Sequence, residues 1–201
     1  MVIRSGGGNN NTEVITLFET PVWSLWEELP IGAYEWALDY KKKNPSIEIQ
    51  KSNRGGYQSK NSIIRYKNLN HEVGSTSEFP YYQHIRNAID KIEGMQNFVM
   101  TDWWLNINEK GDLNLPHVHP GSDLALIWYI THNEGLLNFQ EPNLMTRHAL
   151  YSRGLLEKEC KSIRCLAGSI LVFPADLIHR VDEHKLDTPR ISVSCNLIAK
   201  Y

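Results

Sequence analysis

The chain has 201 residues, 41% hydrophobic and 22% charged, a balance that suits one globular domain with a sizeable core. Its 21 basic and 23 acidic residues leave a net charge of −2, so no broad phosphate-binding field exists and extended nucleic acid is not an expected partner. No apolar stretch approaches the length of a membrane span, and Met1–Thr12 lacks the apolar core of a secretory signal. Cys160, Cys165 and Cys195 are too sparse, and odd in number, for a disulfide framework; they read as structural residues in a reducing compartment, with the cytoplasm as the expected location.

In chain order, residues 1–12 carry Gly6-Gly7-Gly8-Asn9-Asn10-Asn11 and read as a flexible N-terminus, leaving 13–201 as a single domain. Val14–Phe18 and Val22–Trp26 read as short strands on either side of Pro21. From Ile31 to Lys43 the period turns helical, with Ile31, Tyr34, Leu38 and Lys41 on one face, until Asn44-Pro45 stops it; Lys41-Lys42-Lys43 is a solvated helix end. Residues 51–61 form a polar loop whose Gly55-Gly56 permits positive φ or close backbone approach, either as a site-lining segment or as a plain connector. Pro80–Glu93 is a second helix, with Tyr82, Ile85, Ile89 and Ile92 as its core stripe and Gly94 as its cap.

After Gly94 the texture becomes β: Phe98–Met100, Asp102–Asn108, Leu124–Thr131, Leu136–Phe139, Ser162–Leu166, Ser169–Phe173 and Arg190–Ile198 read as strands with turn signals between them. The expectation is an antiparallel sandwich or barrel with the two helices packed outside it. The polar insert Gln140–Glu159 is the longest unpatterned piece of this region and reads as a lid or substrate loop.

Four pieces of this β region carry chemistry. His117 and His119 stand at i and i+2, so at the start of a strand both imidazoles face one way and form a two-toothed metal grip. His179 follows the buried run Ser169–Phe173 after Pro174 and a short turn, and can supply a third ligand; three protein ligands leave open positions on a non-haem iron. On Arg190–Leu197, Ile191, Val193, Cys195 and Leu197 form one face, while Arg190, Ser192, Ser194 and Asn196 form the other. The polar face reads either as the outer face of a surface strand or, in a barrel and with His179 eleven residues before Arg190, as an inward face on which Arg190 beside Ser192 is a carboxylate receptor, a guanidinium clamp with a hydroxyl donor. Tyr129 has the parity of the histidine pair if no bulge intervenes, so either its hydroxyl reaches the same carboxylate or it is a core tyrosine with a satisfied hydroxyl.

The order His117-Val118-His119, then His179, then Arg190-Ile191-Ser192 resembles the iron(II)/2-oxoglutarate-dependent oxygenase superfamily, in which His-x-Asp/Glu precedes a distal His and an Arg about ten residues on. Tyr129 sits where prolyl-hydroxylase-like members place a tyrosine that binds the co-substrate. More narrowly, Phe18-Glu19-Thr20-Pro21-Val22, Ser52–Ser59, His117–Gly121, Phe173-Pro174 with His179, and Arg190-Ile191-Ser192 with Asn196 resemble the 2-oxoglutarate/iron oxygenases common in marine phage and bacterial genomes. The resemblance covers about residues 15–201 and implies a double-stranded β-helix (jelly roll) with iron at its mouth, acting in the host cytoplasm if phage-encoded. It implies Fe(II), 2-oxoglutarate and O2 as cofactor and co-substrates. Arg190, Ser192 and Tyr129 would hold the far carboxylate of 2-oxoglutarate, and oxidative decarboxylation to succinate and CO2 would drive hydroxylation of a substrate C–H bond. Trp104 and Asn106, on the strand before the histidine pair, would line the pocket with Asn196.

One departure stands out: His119 occupies the position of the carboxylate ligand. Three explanations follow, in order of preference. His119 is itself a ligand, giving a neutral three-histidine centre; Asp123 swings in; or the carboxylate is missing and the site is weak. Two other readings of the chain remain, a three-histidine cupin-like metalloenzyme that does not use 2-oxoglutarate and a non-catalytic jelly-roll binding protein. The substrate is a small molecule or a peptidyl residue, no membrane partner is expected, and a homodimer is compatible with the sequence.

Overall fold

The computed structural model describes residues 2–5, 13–16, 19–46, 52–66, 73–75, 79–143, 152–154 and 160–200. Strands β1 (Val2–Ser5), β2 (Glu13–Thr16) and β3 (Trp23–Trp26) come first, followed by helix α1 (Ala33–Lys43). Short strands β4 (Asn53–Arg54), β5 (Tyr57–Gln58), β6 (Ser62–Ile63), β7 (Arg65–Tyr66) and β8 (Val73–Ser75) lead to helix α2 (Tyr82–Ile89). The remainder is β9 (Phe98–Asn108), β10 (Leu113–His117), β11 (Leu124–Tyr129), β12 (Asn133–Gln140), β13 (Cys160–Cys165), β14 (Ser169–Pro174), β15 (His179–Val181) and β16 (Arg190–Ala199).

These strands build a larger antiparallel sheet ordered β3-β14-β11-β16-β9-β5, with β6 also on β9, and a smaller one ordered β13-β12-β15-β10-β4. From β9 to β16 the chain crosses from one sheet to the other at every connection except the β12–β13 hairpin. That winding is the jelly roll the sequence leads one to expect, with both helices on the outer face of the larger sheet.

Alternation places the core and the site on opposite faces of one strand. Ile191, Val193, Cys195 and Leu197 of β16 are fully buried and pack with Leu124, Leu126 and Trp128 of β11 and with Ile85 and Ile89 of α2. Each such aliphatic side chain contributes roughly 1.5–3 kcal/mol of burial free energy. Arg190, Ser192, Ser194 and Asn196, one residue out of phase, line a cavity between the sheets. A smaller apolar cluster, including Ala125, Leu137, Phe139, Leu171 and Phe173, fills the space between the sheets away from that cavity.

Several elements differ from the sequence reading, each for a local reason. Helix α1 buries Ala33 and Ala37 and turns Trp36 and Tyr40 to the core, while Ile31 is fully exposed and Tyr34 is 39% exposed. The aromatic pair decides the face, because Trp36 and Tyr40 both meet Trp103, at ring distances of 5.9 and 5.2 Å, and Trp36 also meets Phe79. Helix α2 is shorter than Pro80–Glu93, and Gly94, with φ 84°, begins a 3₁₀ turn at Met95–Asn97. Phe98–Asn108 is one continuous strand through Thr101. β1 pairs with β2 from Val2↔Thr16 to Ser5↔Glu13, within and beside the stretch read as a flexible end. Most of the Gln140–Glu159 insert, 144–151 and 155–159, lies outside the described residues. Among the described residues no helix is long and apolar enough to cross a membrane.

Candidate metal centre

His117 closes β10 rather than opening a strand. It pairs with His179 of β15, three residues after Asn114 pairs with Val181, so β10 carries one extra residue in this interval. Pro116 explains the interruption, since it has no N–H to give the ladder. The chain then leaves the sheet. Val118 turns outward, 37% exposed, and the His119 amide donates to Ala175 O at 2.8 Å, fixing this loop to the turn before β15. The i, i+2 alternation survives the exit, and both imidazoles face the cavity.

The three rings converge. Centroids of His117 and His179 are 4.2 Å apart, those of His119 and His179 5.1 Å, and those of His117 and His119 5.4 Å. One nitrogen from each lies within 4.8 Å of the others, and the trio is the group among the described residues that could hold a metal. Each Nδ1 is tied back: His117 to Leu115 O at 2.8 Å, His179 to Leu177 O at 2.9 Å, and His119 to Asn196 Oδ1 at 2.7 Å. Only a protonated Nδ1 satisfies these oxygens, so Nε2 is the nitrogen of each ring that carries the lone pair. Nitrogens this close reach metal–nitrogen distances of about 2.1 Å by side-chain shifts of under about 1 Å. The donor set is three neutral imidazoles, which suits iron, zinc, nickel or copper.

Electrostatics favour the neutral form. Burial holds the His179 imidazole down to about 3, aided by the neighbouring His117, and burial likewise lowers His117. At neutral pH both therefore present lone pairs rather than protons. A second link supports His119: Asn196 donates its Nδ2–H to Asp102 Oδ2 at 3.2 Å, and Asn61 donates to the same oxygen at 2.7 Å.

At the other end of the cavity lies Arg190, 2% exposed, its Nη1 donating to Asp182 O at 3.1 Å. Burial lowers its pKa, while Tyr129, Asp112 and Asp182 oppose that shift. Ser192 lines the cavity beside it, and Tyr129 pairs with Ser192 on the adjacent strand. Tyr129 is buried with Cys165 in the apolar cluster between the sheets and is not among the residues that line the cavity. The cavity, about 580 Å³, is of ligand size and includes Trp104, Asn106 and Asn196, the pocket residues expected from sequence. Asp123 is not brought to it: the Asp123 carboxylate is exposed and accepts the Ala199 amide at 2.7 Å, so it is engaged at the sheet edge.

Other lining residues escaped the sequence reading: Gln58, Asn61, Asp102, Asn108 and Asn114. Gln58 arrives through Gly55 and Gly56, with φ of 74° and 71°. A Cβ on Gly56 would stand 2.9 Å from Ile107 O, so the loop approaches β9 only because the side chain is absent. The segment 52–61 is thus site-lining, and the adjacent glycines were the signal for it. Within the cavity, Gln58 Oε1, Asn106 Oδ1 and Asn108 Nδ2 are buried without a hydrogen-bond partner among the described residues. Buried polar atoms of this kind are normally paired, so these three side chains keep hydrogen-bonding capacity to spare.

The sequence has no match among curated proteins. Residues 102–196 match the model of a family described as "Putative 2OG-Fe(II) oxygenase", and the segment takes in all three histidines, Arg190 and Ser192. Among solved structures, a Trichoplax adhaerens prolyl hydroxylase in complex with a hypoxia inducible factor peptide is similar at TM-score 0.58 and 12% identity, over 89% of this chain and 83% of that one. HygX from Streptomyces hygroscopicus, with nickel and 2-oxoglutarate bound, is similar at 0.57 and 8% identity, over 90% and 84%. A Pseudomonas putida prolyl-4-hydroxylase gives 0.54 and 13% identity, over 90% and 94%. At such identities the likeness is one of fold, and the family match over residues 102–196 agrees with it.

Proposed function

We propose that the protein is an Fe(II)- and 2-oxoglutarate-dependent dioxygenase that hydroxylates a small-molecule or peptidyl substrate, releasing succinate and CO2. The observation that carries this reading is one cavity with three imidazoles, each Nδ1 tied back to an oxygen, and a buried arginine along the same wall. His117, His119 and His179 would hold the metal through Nε2. The His119–Asn196–Asp102 hydrogen bonds would orient the ligand that stands where the superfamily has a carboxylate.

When bound, iron(II) and 2-oxoglutarate supply the oxidising chemistry, in which O2 is consumed, the co-substrate is decarboxylated and a C–H bond is hydroxylated. The chain's own part is to bind, orient and exclude water. The Arg190 guanidinium would pair with the far carboxylate of 2-oxoglutarate in a buried setting, where a charge-assisted bidentate contact is strong and directional. Ser192, which lines the cavity, would add a hydroxyl contact. Trp104, Ile127 and Val181 contribute apolar wall. Three neutral ligands leave the metal its full +2 charge, which favours a dianionic chelator over a neutral one.

Anaerobic titration of the Fe(II)-loaded protein with 2-oxoglutarate tests the proposal. A saturable metal-to-ligand charge-transfer band is expected. A protein that takes up Fe(II) but gives no band is a three-histidine metalloprotein without this co-substrate, and the proposal fails.

A further inference from the structure

The unpartnered polar atoms of the cavity are sorted by type along its length. β9 and β16 run side by side from Arg190↔Asn108 at one end to Asn196↔Asp102 at the other, six residues or roughly 20 Å apart. Asn108 Nδ2, a donor without a partner, sits at the Arg190 end, where an anionic co-substrate would lie. Two residues along, at the Ser192↔Asn106 pair, the chemistry inverts. Asn106 gives its Nδ2–H to Ser194 Oγ at 3.2 Å, leaving Oδ1 unpartnered. Its cross-strand neighbour Gln58 leaves Oε1 unpartnered as well, and these residues are only 7% and 8% exposed.

Asp102 follows on the same face of β9. It is the one carboxylate among the described lining residues. Its oxygens accept from Asn61, Asn196 and Thr101, all neutral donors, so its charge has no cationic partner among them. Between Asp102 and Asn106 lies Trp104, lining the cavity with its ring 5.5 Å from that of His119. A carboxylate, an aromatic face and two buried carbonyl acceptors in succession make a wall that rewards N–H donors and positive charge. An anion or a bare hydrocarbon there would leave these acceptors unsatisfied.

We propose that the substrate presents an ammonium or guanidinium group to the wall formed by Asp102, Trp104, Asn106 and Gln58. The inference rests on the oxygenase reading, whose co-substrate occupies the Arg190 end. The test is calorimetric titration of protein loaded anaerobically with Fe(II) and 2-oxoglutarate. The probes are butylguanidinium, its neutral analogue butylurea, and pentanoate. Butylguanidinium is expected to bind about tenfold or more tightly than butylurea, and pentanoate not at all. In protein whose charge-transfer band shows that it is loaded, Asp102→Asn should weaken butylguanidinium about tenfold, and Gln58→Glu should strengthen it. Butylurea or pentanoate binding as tightly as butylguanidinium overturns the proposal, as does indifference to both substitutions. Comparing free L-arginine with a capped Gly-Arg-Gly peptide then tells a small-molecule source of the group from a peptidyl one. The two readings fail separately: a charge-transfer band without guanidinium binding removes this inference alone, and guanidinium binding without a band removes the oxygenase reading alone.

Discussion

Replacing Arg190 separates its cost to folding from its value to the co-substrate. The residue is 2% exposed, its guanidinium donates to Asp182 O, and burial disfavours its charge. An isolated buried cation is expensive to fold around, so Arg190→Leu, which keeps much of the volume, should leave the free protein's Tm within a few degrees of wild type. Its effect on 2-oxoglutarate should be large. Two charge-assisted hydrogen bonds from a desolvated fork are lost, roughly 3–4 kcal/mol after competition with water, which raises Kd on the order of 10²–10³-fold. Arg190→Lys keeps the charge and loses the fork, so it should fall between the two. Anaerobic titration of each Fe(II)-loaded variant, read at the charge-transfer band, gives Kd directly, and Fe(II) affinity measured alongside should not change. If Arg190→Leu shifts the 2-oxoglutarate Kd by less than about tenfold, some other group holds the carboxylate and the reasoning is wrong.

Asn196→Leu removes the acceptor for His119 Nδ1–H and its link to Asp102, and should weaken Fe(II) affinity about 10–100-fold by competition against a chromophoric chelator; an unchanged affinity would mean the link orients nothing. His119→Asp restores the superfamily's usual carboxylate and should retain the metal, whereas His179→Ala should abolish its uptake. For pH, the folded value of His179, about 3, lies below the ordinary 6.5, so the unfolded chain takes up the proton first as pH falls. Stability of the metal-free protein is therefore full above about pH 6.5 and is lost as pH drops from there toward 3, at up to about 1.4 kcal/mol per unit from this residue. Urea unfolding between pH 7 and 5 checks the sign, and a flat or rising stability would contradict it. Gly56→Ala forces a Cβ into a positive-φ position 2.9 Å from Ile107 O and should cost roughly 1–3 kcal/mol in the same assay.

The parts of the site legible in sequence are those whose residue types carry a period. Strict alternation in Arg190–Leu197 separates core from cavity, and the structure follows it residue by residue. The i, i+2 spacing of His117 and His119 survives even though the pair leaves a strand rather than entering one. What was not legible depends on pairing across distant segments. Gln58 and Asn106 become neighbours only through the β5–β9 register, and a neutral amide looks the same in a loop as in a binding wall. Asp123 and Asp102 show the same limit. Asp123, near the histidine pair in sequence, is the plausible carboxylate, yet it serves the Ala199 amide, while Asp102, on another strand, reaches His119 through Asn196. β15 has three residues, too few to show a period, and Pro116 disguises β10. The α1 face was misassigned because a helical period admits more than one stripe, and only the aromatic contacts to Trp103 choose between them.

If the three histidines and Arg190 together make a site where 2-oxoglutarate is oxidised, the protein must turn over that co-substrate. That turnover is tested most directly by supplying the purified protein with Fe(II), 2-oxoglutarate and O2 and measuring succinate against co-substrate consumed. Succinate is expected in equal amount to the 2-oxoglutarate lost, slow without substrate, dependent on both Fe(II) and O2, and absent from the His117→Ala and His179→Ala variants. Succinate formation that persists in those variants, or none from wild-type protein that has bound both Fe(II) and 2-oxoglutarate, would contradict it.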